Sequence, residues 1–599
     1  MENRIPERSE LDPKYMWHIE DLFASDDAWQ EDFERFQARL PQAQAFAGHL
    51  GESAQTLFDY LDYQEKTNVL LENLFHYAEH KGDEDTRVAA YQNMNGQIMG
   101  AYVAYLSATA YDTPEILAIP DEKLEAFYAE KPELERYRRM LTELRRRKEH
   151  ILSDAEEKLL SAAGEMAQSP YNIFSMFSDA DVKFPDAVDA EGKAHPLSQG
   201  TFVQCEESED RSLRKDAYEK LYGVLGNYQN TLAAALNAQA KQLQFFAKAR
   251  RYDSALHAAL DGNNVPVEVY YNLIEAVHQN LDKMHRYVRL RKKMLGVEEL
   301  HFYDVYAPLV AGSGKKIPYE AACQTVVEAM APLGEEYQSL LRKGMNEGWI
   351  DVYQNVGKRS GAYSAGAHVH PFVLLNYTGS LDSQFTLAHE LGHALHSYHS
   401  NRTQSFVDAD YVIFVAEVAS TCNEALLMEY LLSRTTDKKE RMALINHFLE
   451  QFKGTLYRQT MFAEFELKCG ELSQKGETLT AETLCQIYRE LNERYFGPDM
   501  VVDDQIALEW ARIPHFYMDY YVFQYATGYA AAIALSRRIL SGGEQARQDY
   551  LGFLSGGCSK PPIDLLKGAG VDMSTTKPVT DALQIFDSLL DEMEALLDE

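Results

Sequence analysis

The chain lacks most of what would carry it out of a cytoplasm or onto nucleic acid. Its first residues, MENRIPERSELDPKYMW, hold no apolar core for a signal peptide. No stretch reaches the roughly 18 apolar residues that span a bilayer. Basic residues are scarce, with 58 Lys and Arg against 92 Asp and Glu and a formal charge of −34. Nucleic acid and anionic membranes both need a basic footprint, so neither is an expected partner. The six cysteines, at 205, 323, 422, 469, 485 and 558, form no CxxC pair. This excludes a disulfide scaffold and fits reduced core thiols in a cytoplasmic protein. Internal repeats and low-complexity linkers are absent too. With 46% hydrophobic and 11% aromatic residues, the composition is that of an ordered globular protein.

Phosphate loops are also missing. AGSGKKIP (311–318) and NVGKRSGAYSAG (355–366) are glycine-rich. Neither has a glycine five residues before its Gly-Lys pair, so both read as plain loops. Strand signals are few. DVKFPDAVDAEGKAHPLS (181–198) reads as a hairpin turning at Glu191-Gly192, and AYSAGAHVHPFVLLNYTGS (362–380) as extended and apolar. Most of the rest, such as AETLCQIYRELNERYF (481–496), spaces apolar residues three and four apart and predicts helix. The expected fold class is mainly α, with soft boundaries near residues 115 and 200.

What stands out is FTLAHELGHALHSYHS (385–400). In a helix, residues four apart lie about 40° apart and one turn along, so His389 and His393 can face one ion. Leu387, Leu391, Ala394, Leu395 and Tyr398 fall on the opposite face, the one to bury, and Ser380 or Asp382 can cap the start. Glu390 is turned about 100° from His389, where it reaches a water on the metal without ligating the ion. This is the chemistry of HExxH: two neutral imidazoles suit zinc, and the glutamate takes a proton from the activated water.

Three rival patterns are weaker. His399 has the spacing of a metzincin's third ligand, but that motif needs a glycine where His396 stands. Without the turn, His399 lies about 9 Å beyond His393 and points away. His396, about 10 Å from His389, is left to face substrate or make a structural hydrogen bond. HYAEH (76–80), with Glu157 downstream, matches an inverted zinc motif. The KGDEDTR that follows reads as a solvated turn, so these are taken as surface histidines. Pairing Glu390-x-x-His393 with Glu275-x-x-His278, as in di-iron bundles, leaves His389 unexplained.

Zinc with two histidines needs a third protein ligand and an open position. YVIFVAEVASTCNEALLMEYLL (411–432) reads as a second helix, with Glu417, Thr421, Glu424 and Met428 on one face. Glu417 follows His393 by 24 residues, room for a loop and a return, and is the expected ligand. Glu424, two turns on, is the expected acceptor for a ligating imidazole.

HELGH followed at this distance by FVAEVASTCNEAL resembles the thimet-oligopeptidase-like zinc peptidases, in particular their oligoendopeptidase F branch. The likeness extends to YMWHIEDLF (15–23), YAEHKGDEDTR (77–87), GKRSGAYSAG (357–366), HPFVLLNYTGS (370–380) and IPHFYMDYYVFQYATGYAAA (513–532). It implies a zincin-type core with a small β-sheet, enclosed in a largely helical two-lobed body with a deep substrate channel. By the same likeness, 1–115 is an N-terminal helical region without a catalytic role and 116–199 an oligopeptidase F-type N-terminal domain carrying the hairpin. The catalytic domain is then 200–599. FYMDYYVFQYATGY (516–529) spaces Tyr517, Tyr521 and Tyr525 four apart, which by itself predicts an aromatic helix stripe packed into the protein core. The resemblance instead implies that a histidine and tyrosines of this segment meet the substrate and its oxyanion. A neutral phenol suits an oxyanion that exists only transiently. His515 and Tyr521, then Tyr525, are the expected catalytic donors, with Tyr517 against the substrate.

The expectation is therefore a cytoplasmic endopeptidase with one zinc per chain on His389, His393 and Glu417. It would cut internal bonds of short oligopeptides, with Glu390 moving the proton. Gly361, Ala362 and Tyr363 would lead an edge strand that pairs with the peptide backbone. The alternatives are a metzincin-like protease using His399 and a non-catalytic helical peptide-binding protein.

Overall fold

Serine caps start many of the helices. Ser25 accepts from Ala28 N at 3.2 Å and Ser53 from Thr56 N at 3.1 Å, opening helices Asp26–Ala43 and Ala54–Glu84. A computed structural model describes residues 4–310 and 316–598. Of the loop read at 311–318, residues 311–315 lie outside the described residues. Among the described residues no helix is long and apolar enough to cross a membrane. The cysteines are unpaired, and Cys205, Cys422 and Cys469 are buried.

The chain forms two compact units, each assembled from three separate stretches. One comprises 4–149, 316–430 and 535–570; the other comprises 150–310, 431–534 and 571–598. Both are mainly helical, with very short strands. A division of the chain at 115 and 199 is of another kind, by sequence order, and stays a proposal beside these units.

In the first unit, helices Asp26–Ala43, Ala54–Glu84 and Ala89–Thr109 bury Trp29, Phe36, Tyr60, Leu74, Ile98 and Tyr105 in one core. That core continues into a three-stranded sheet. Phe372–Leu374 is the fully buried middle strand, parallel to Ile350–Asp351 and antiparallel to the outer strand Tyr363–Ala365. Lys358 closes the loop between the strands. Its buried ammonium donates to Asp351 Oδ1 at 2.6 Å and to the carbonyls of Tyr353 and Leu375 at 2.8 and 2.6 Å. A charge buried this deeply is tolerable only when paired and hydrogen-bonded in this way.

The second unit carries the expected hairpin, with Ala187–Val188 pairing Ala194–His195 around Gly192 at φ +85°. Its helices bury tyrosines whose hydroxyls find partners. Tyr270 donates to Ala463 O at 2.6 Å, Tyr457 to Asn280 O at 2.9 Å and Tyr488 to Glu509 at 2.6 Å.

Two expectations fail here. His76 and His80 are not surface residues: His80 is fully buried, stacks on His76, and its Nδ1 lies 3.0 Å from the Tyr363 hydroxyl. The helix runs on to Glu84, and the supposed solvated turn is tied down by Arg8–Glu84 and Arg359–Asp83 ion pairs. The tyrosine segment is also not one helix. A 3-10 turn, Pro514–Tyr517, is separated from helix Phe523–Ser541 by a stretch in which Asp519 and Tyr520 are left-handed, at φ +54° and +59°. The break ends the four-residue spacing of the tyrosines.

Candidate metal centre

The histidine motif lies on helix Leu381–Thr403, capped by Ser380, whose Oγ accepts from Ser383 N at 3.0 Å. Leu387, Leu391, Ala394 and Leu395 are fully buried, as the face opposite the histidines requires. Glu417 lies on the next long helix, Ile413–Arg434. The two helices meet at Gly392. A Cβ there would fall 2.5 Å from Ser420 Cα and 2.7 Å from Ala419 O, so only glycine permits the approach. Asn423 ties the pair, donating to Ala388 O at 3.1 Å and accepting from the Tyr337 hydroxyl at 2.9 Å.

This packing brings three ligand atoms together. His389 Nε2 is 3.2 Å from His393 Nε2, and Glu417 Oε2 is 3.3 and 3.5 Å from the two nitrogens. Among the described residues, His389, His393 and Glu417 form the one group able to hold a metal ion. The fit is quantitative. A tetrahedral ion with bonds of about 2.0–2.1 Å has ligand atoms about 3.3 Å apart. Two imidazole nitrogens at that distance share either a proton or a metal ion. His389 Nδ1 lies 2.5 Å from Glu424 Oε1, so the proton sits on Nδ1 and Nε2 presents its lone pair. Ser420 Oγ donates to Glu417 Oε2 at 3.2 Å and steadies the third ligand.

The ionisable groups of the cluster act strongly on one another. Burial opposes a charge on His389, yet Glu417 and Glu424 raise its pKa well above the usual value. Burial alone would raise the pKa of Glu417, but the two imidazoles hold it far below the carboxylate range. Burial pushes the neighbouring Glu390 carboxyl up. Such a carboxylate is a better base than an exposed one.

The rival residues are elsewhere engaged. His399 stacks parallel to Tyr337 at 6.3 Å, outside the ligand group, which removes the metzincin arrangement. His396 is not exposed. It is buried flat against Tyr411 at 3.7 Å, with its Nδ1 unpaired. His278 Nε2 lies 2.7 Å from Glu464 Oε2, outside the ligand group.

Tyr363 begins the outer strand, but its phenol is committed inward, donating to Asp83 at 2.7 Å. Gly361, at φ +84°, has its carbonyl held by Asn376 at 2.8 Å, and Ala362 links it to Tyr363. The strand's end lies close to the histidine helix, since a Cβ on Gly366 would be 2.6 Å from Ser397 Oγ. His515, Tyr521 and Tyr525 belong to the second unit and group together. Tyr525 lies 5.2 Å from Tyr521 and 6.0 Å from His515, ring to ring. Burial, with Arg458 nearby, keeps the His515 pKa below its ordinary value. Tyr517 does not join them; it is buried and stacked on Phe174 at 4.7 Å.

Sequence reasoning missed Gly392, Ser420 and Asn423. A glycine inside a strong helix pattern was the available signal for the first.

Residues 204–585 match peptidase family M3, and residues 115–184 match the family described as Oligopeptidase F. The chain belongs to peptidase family M3. It is 46% identical to Oligopeptidase PepF of Bacillus subtilis (strain 168), over 99% of this chain and 89% of that protein. It is 41% identical to an oligoendopeptidase F homolog of Lactococcus lactis (strain IL1403), over 99% of both. The crystal structure of oligoendopeptidase-F from Enterococcus faecium superposes with a TM-score of 0.76 at 35% identity, covering 96% of this chain and 99% of that one.

Proposed function

We propose that the protein is a zinc-dependent endopeptidase that cleaves internal bonds of short oligopeptides. The observation that carries this is the convergence of His389 Nε2, His393 Nε2 and Glu417 Oε2 at 3.2 to 3.5 Å. These three residues would hold one zinc per chain. Zinc bound by two imidazoles and a carboxylate lowers the pKa of water and polarises a carbonyl. Glu390 is the base that takes a proton and returns it to the leaving amine. Glu424 keeps His389 in the tautomer that can ligate.

The substrate backbone adds to the outer strand Tyr363–Ala365 through main-chain hydrogen bonds, with Gly361 and Ala362 leading into it. Since the Tyr363 phenol is held by Asp83, that residue contributes its backbone. His515 and Tyr521, with Tyr525, act as neutral donors to the developing oxyanion of the substrate. The family resemblance and the chemistry of a phenol support this. Tyr517, stacked on Phe174, is the weaker candidate for substrate contact. The names of the relatives support a preference for oligopeptides, and the protein is proposed to act in the cytoplasm.

Two measurements test the reading. Elemental analysis should give one zinc per chain in the parent and in Glu390→Gln, while only the variant loses turnover. Two irons, or no transition metal, would refute it. A peptide-library digest read by mass spectrometry should show cleavage of peptides of roughly 5–20 residues and sparing of folded proteins. Rapid cutting of native folded protein would contradict the size limit.

A further inference from the structure

The chain passes from the 3-10 turn Pro514–Tyr517 to helix Phe523–Ser541 through two successive left-handed residues, Asp519 and Tyr520. That conformation is unfavourable for any residue with a Cβ, and more so for a tyrosine than for an aspartate. It persists only where the surroundings over-determine it. Here they do, from two helices distant in the sequence. On helix Gln229–Ala249, Gln239 Nε2 donates to Tyr517 O at 3.3 Å and to Asp519 Oδ1 at 3.0 Å, bracketing the turn. Gln242 fixes the orientation of that amide, donating to Gln239 Oε1 at 2.7 Å. On helix Arg458–Gln474, Glu466 Oε1 accepts the Tyr520 N–H at 3.3 Å. The Tyr520 phenol lies against Gly470, where any Cβ would fall 1.9 Å from its oxygen. Gln239, Glu466 and Tyr520 are all buried.

We propose that Gln239 and Glu466 are positioning residues for Tyr521, clamping the left-handed turn from which Tyr521 is presented. The turn separates His515 from Tyr521 and Tyr525, so its geometry sets how these three side chains are spaced. The inference rests on the donor role proposed for Tyr521 and extends it to residues that no motif marks. What Tyr520 N–H requires is one acceptor oxygen, not a charge. Burial pushes the Glu466 carboxyl well above the usual range, which favours an uncharged acceptor. Glu466→Gln should therefore behave as the parent, whereas Glu466→Leu should not.

The test measures kcat, KM and Tm of the metal-loaded enzyme on one short peptide. Gln239→Leu and Glu466→Leu should lower kcat by about 10–100-fold, as small misplacements of catalytic groups do, with KM within about twofold. Asp519→Gly is the variant expected to stay folded whatever happens to the leucine variants. It relieves the left-handed strain and removes the Gln239 contact, so Tm should hold or rise while kcat falls. A merely structural clamp would move Tm and kcat together. In a Tyr521→Phe background the same substitutions should add less than about twofold, because they act through the lost hydroxyl. If Tyr521→Phe lowers kcat but Gln239→Leu, Glu466→Leu and Asp519→Gly all keep it within twofold, the clamp is overturned and the donor role stands. If Tyr521→Phe itself leaves kcat unchanged, the donor role fails and the inference falls with it.

Discussion

Substituting Gly392 by alanine should weaken metal binding without touching a ligand. The added Cβ would stand 2.5 Å from Ser420 Cα, 2.7 Å from Ala419 O and 2.9 Å from Ser420 N. Carbon contacts are comfortable at about 3.5–4.0 Å, so the facing backbone must retreat by about 1 Å. These are main-chain atoms and cannot swing aside. Ser420 lies one helical turn past Glu417, whose Oε2 stands 3.3 and 3.5 Å from the two imidazole nitrogens. A shift of about 1 Å carries that oxygen beyond the separation a zinc ion with 2.0–2.1 Å bonds can bridge. The stability change should be modest. Overpacking costs about 1–3 kcal/mol, and alanine recovers about 1 kcal/mol over glycine within a helix. Zinc affinity should fall by about 10–100-fold, the range seen when a supporting residue is disturbed. Chelator competition measures that loss, and the Tm of the metal-free protein separates it from misfolding. Gly223→Ala is the control. It is an exposed glycine of helix Arg211–Gly226 with nothing within 4 Å of its added Cβ, so it should stabilise the protein and leave zinc alone. A Gly392→Ala enzyme with parental zinc affinity and kcat would refute the reasoning.

Three further outcomes are expected. Glu417→Ala should abolish zinc binding, whereas Glu424→Ala should weaken it by about 10–100-fold, measured by the same competition; the reverse order would exchange their roles. Tyr521→Phe should lower kcat by about 10²–10³-fold with little change in KM. Tyr517→Phe, at a ring stacked on Phe174, should leave kcat near normal. Glu206 is buried, and desolvation raises its pKa from 4.5 to about 8. The folded state therefore keeps this proton longer than the unfolded chain, and stability is lost as pH rises from about 4.5 to about 8. Glu206→Gln has no such loss. Its Tm advantage over the parent should grow across that window and level off above it, and a pH-independent difference would contradict the assignment.

The features visible in the sequence were those that depend on local geometry. One helix turn puts His389 and His393 on one face, and the polar residue before the run caps it. The spacing to Glu417 leaves room for a return helix, so the ligand group could be assembled on paper. Gly392 could not be understood that way, because its requirement comes from Ser420 on another helix. HYAEH misled for a related reason. Its charged neighbours looked solvated, while the cover over His80 comes from Trp17, Tyr363 and Phe372, far away in the chain. The hairpin and the extended run 362–380 were legible, but strand limits were not, because two or three residues are too few for alternation to register and a buried middle strand such as Phe372–Leu374 has none.

The tyrosine segment shows where local reading stops. Tyrosines at 517, 521 and 525 have the spacing of a helix face, and nothing between them is a glycine or proline that would warn of a break. Aspartate tolerates the left-handed region and offers the one local hint; tyrosine does not. Partners supplied by the fold, Gln239 at Tyr517 O and Asp519, Glu466 at Tyr520 N, select the turn against the helix. As a result Tyr517 turns into the core against Phe174, while Tyr521 and Tyr525 stay with His515. A continuous helix would have put all three phenols on one stripe. The break instead sorts one packing tyrosine from two candidate donors, so a local rule fails where a functional site is proposed.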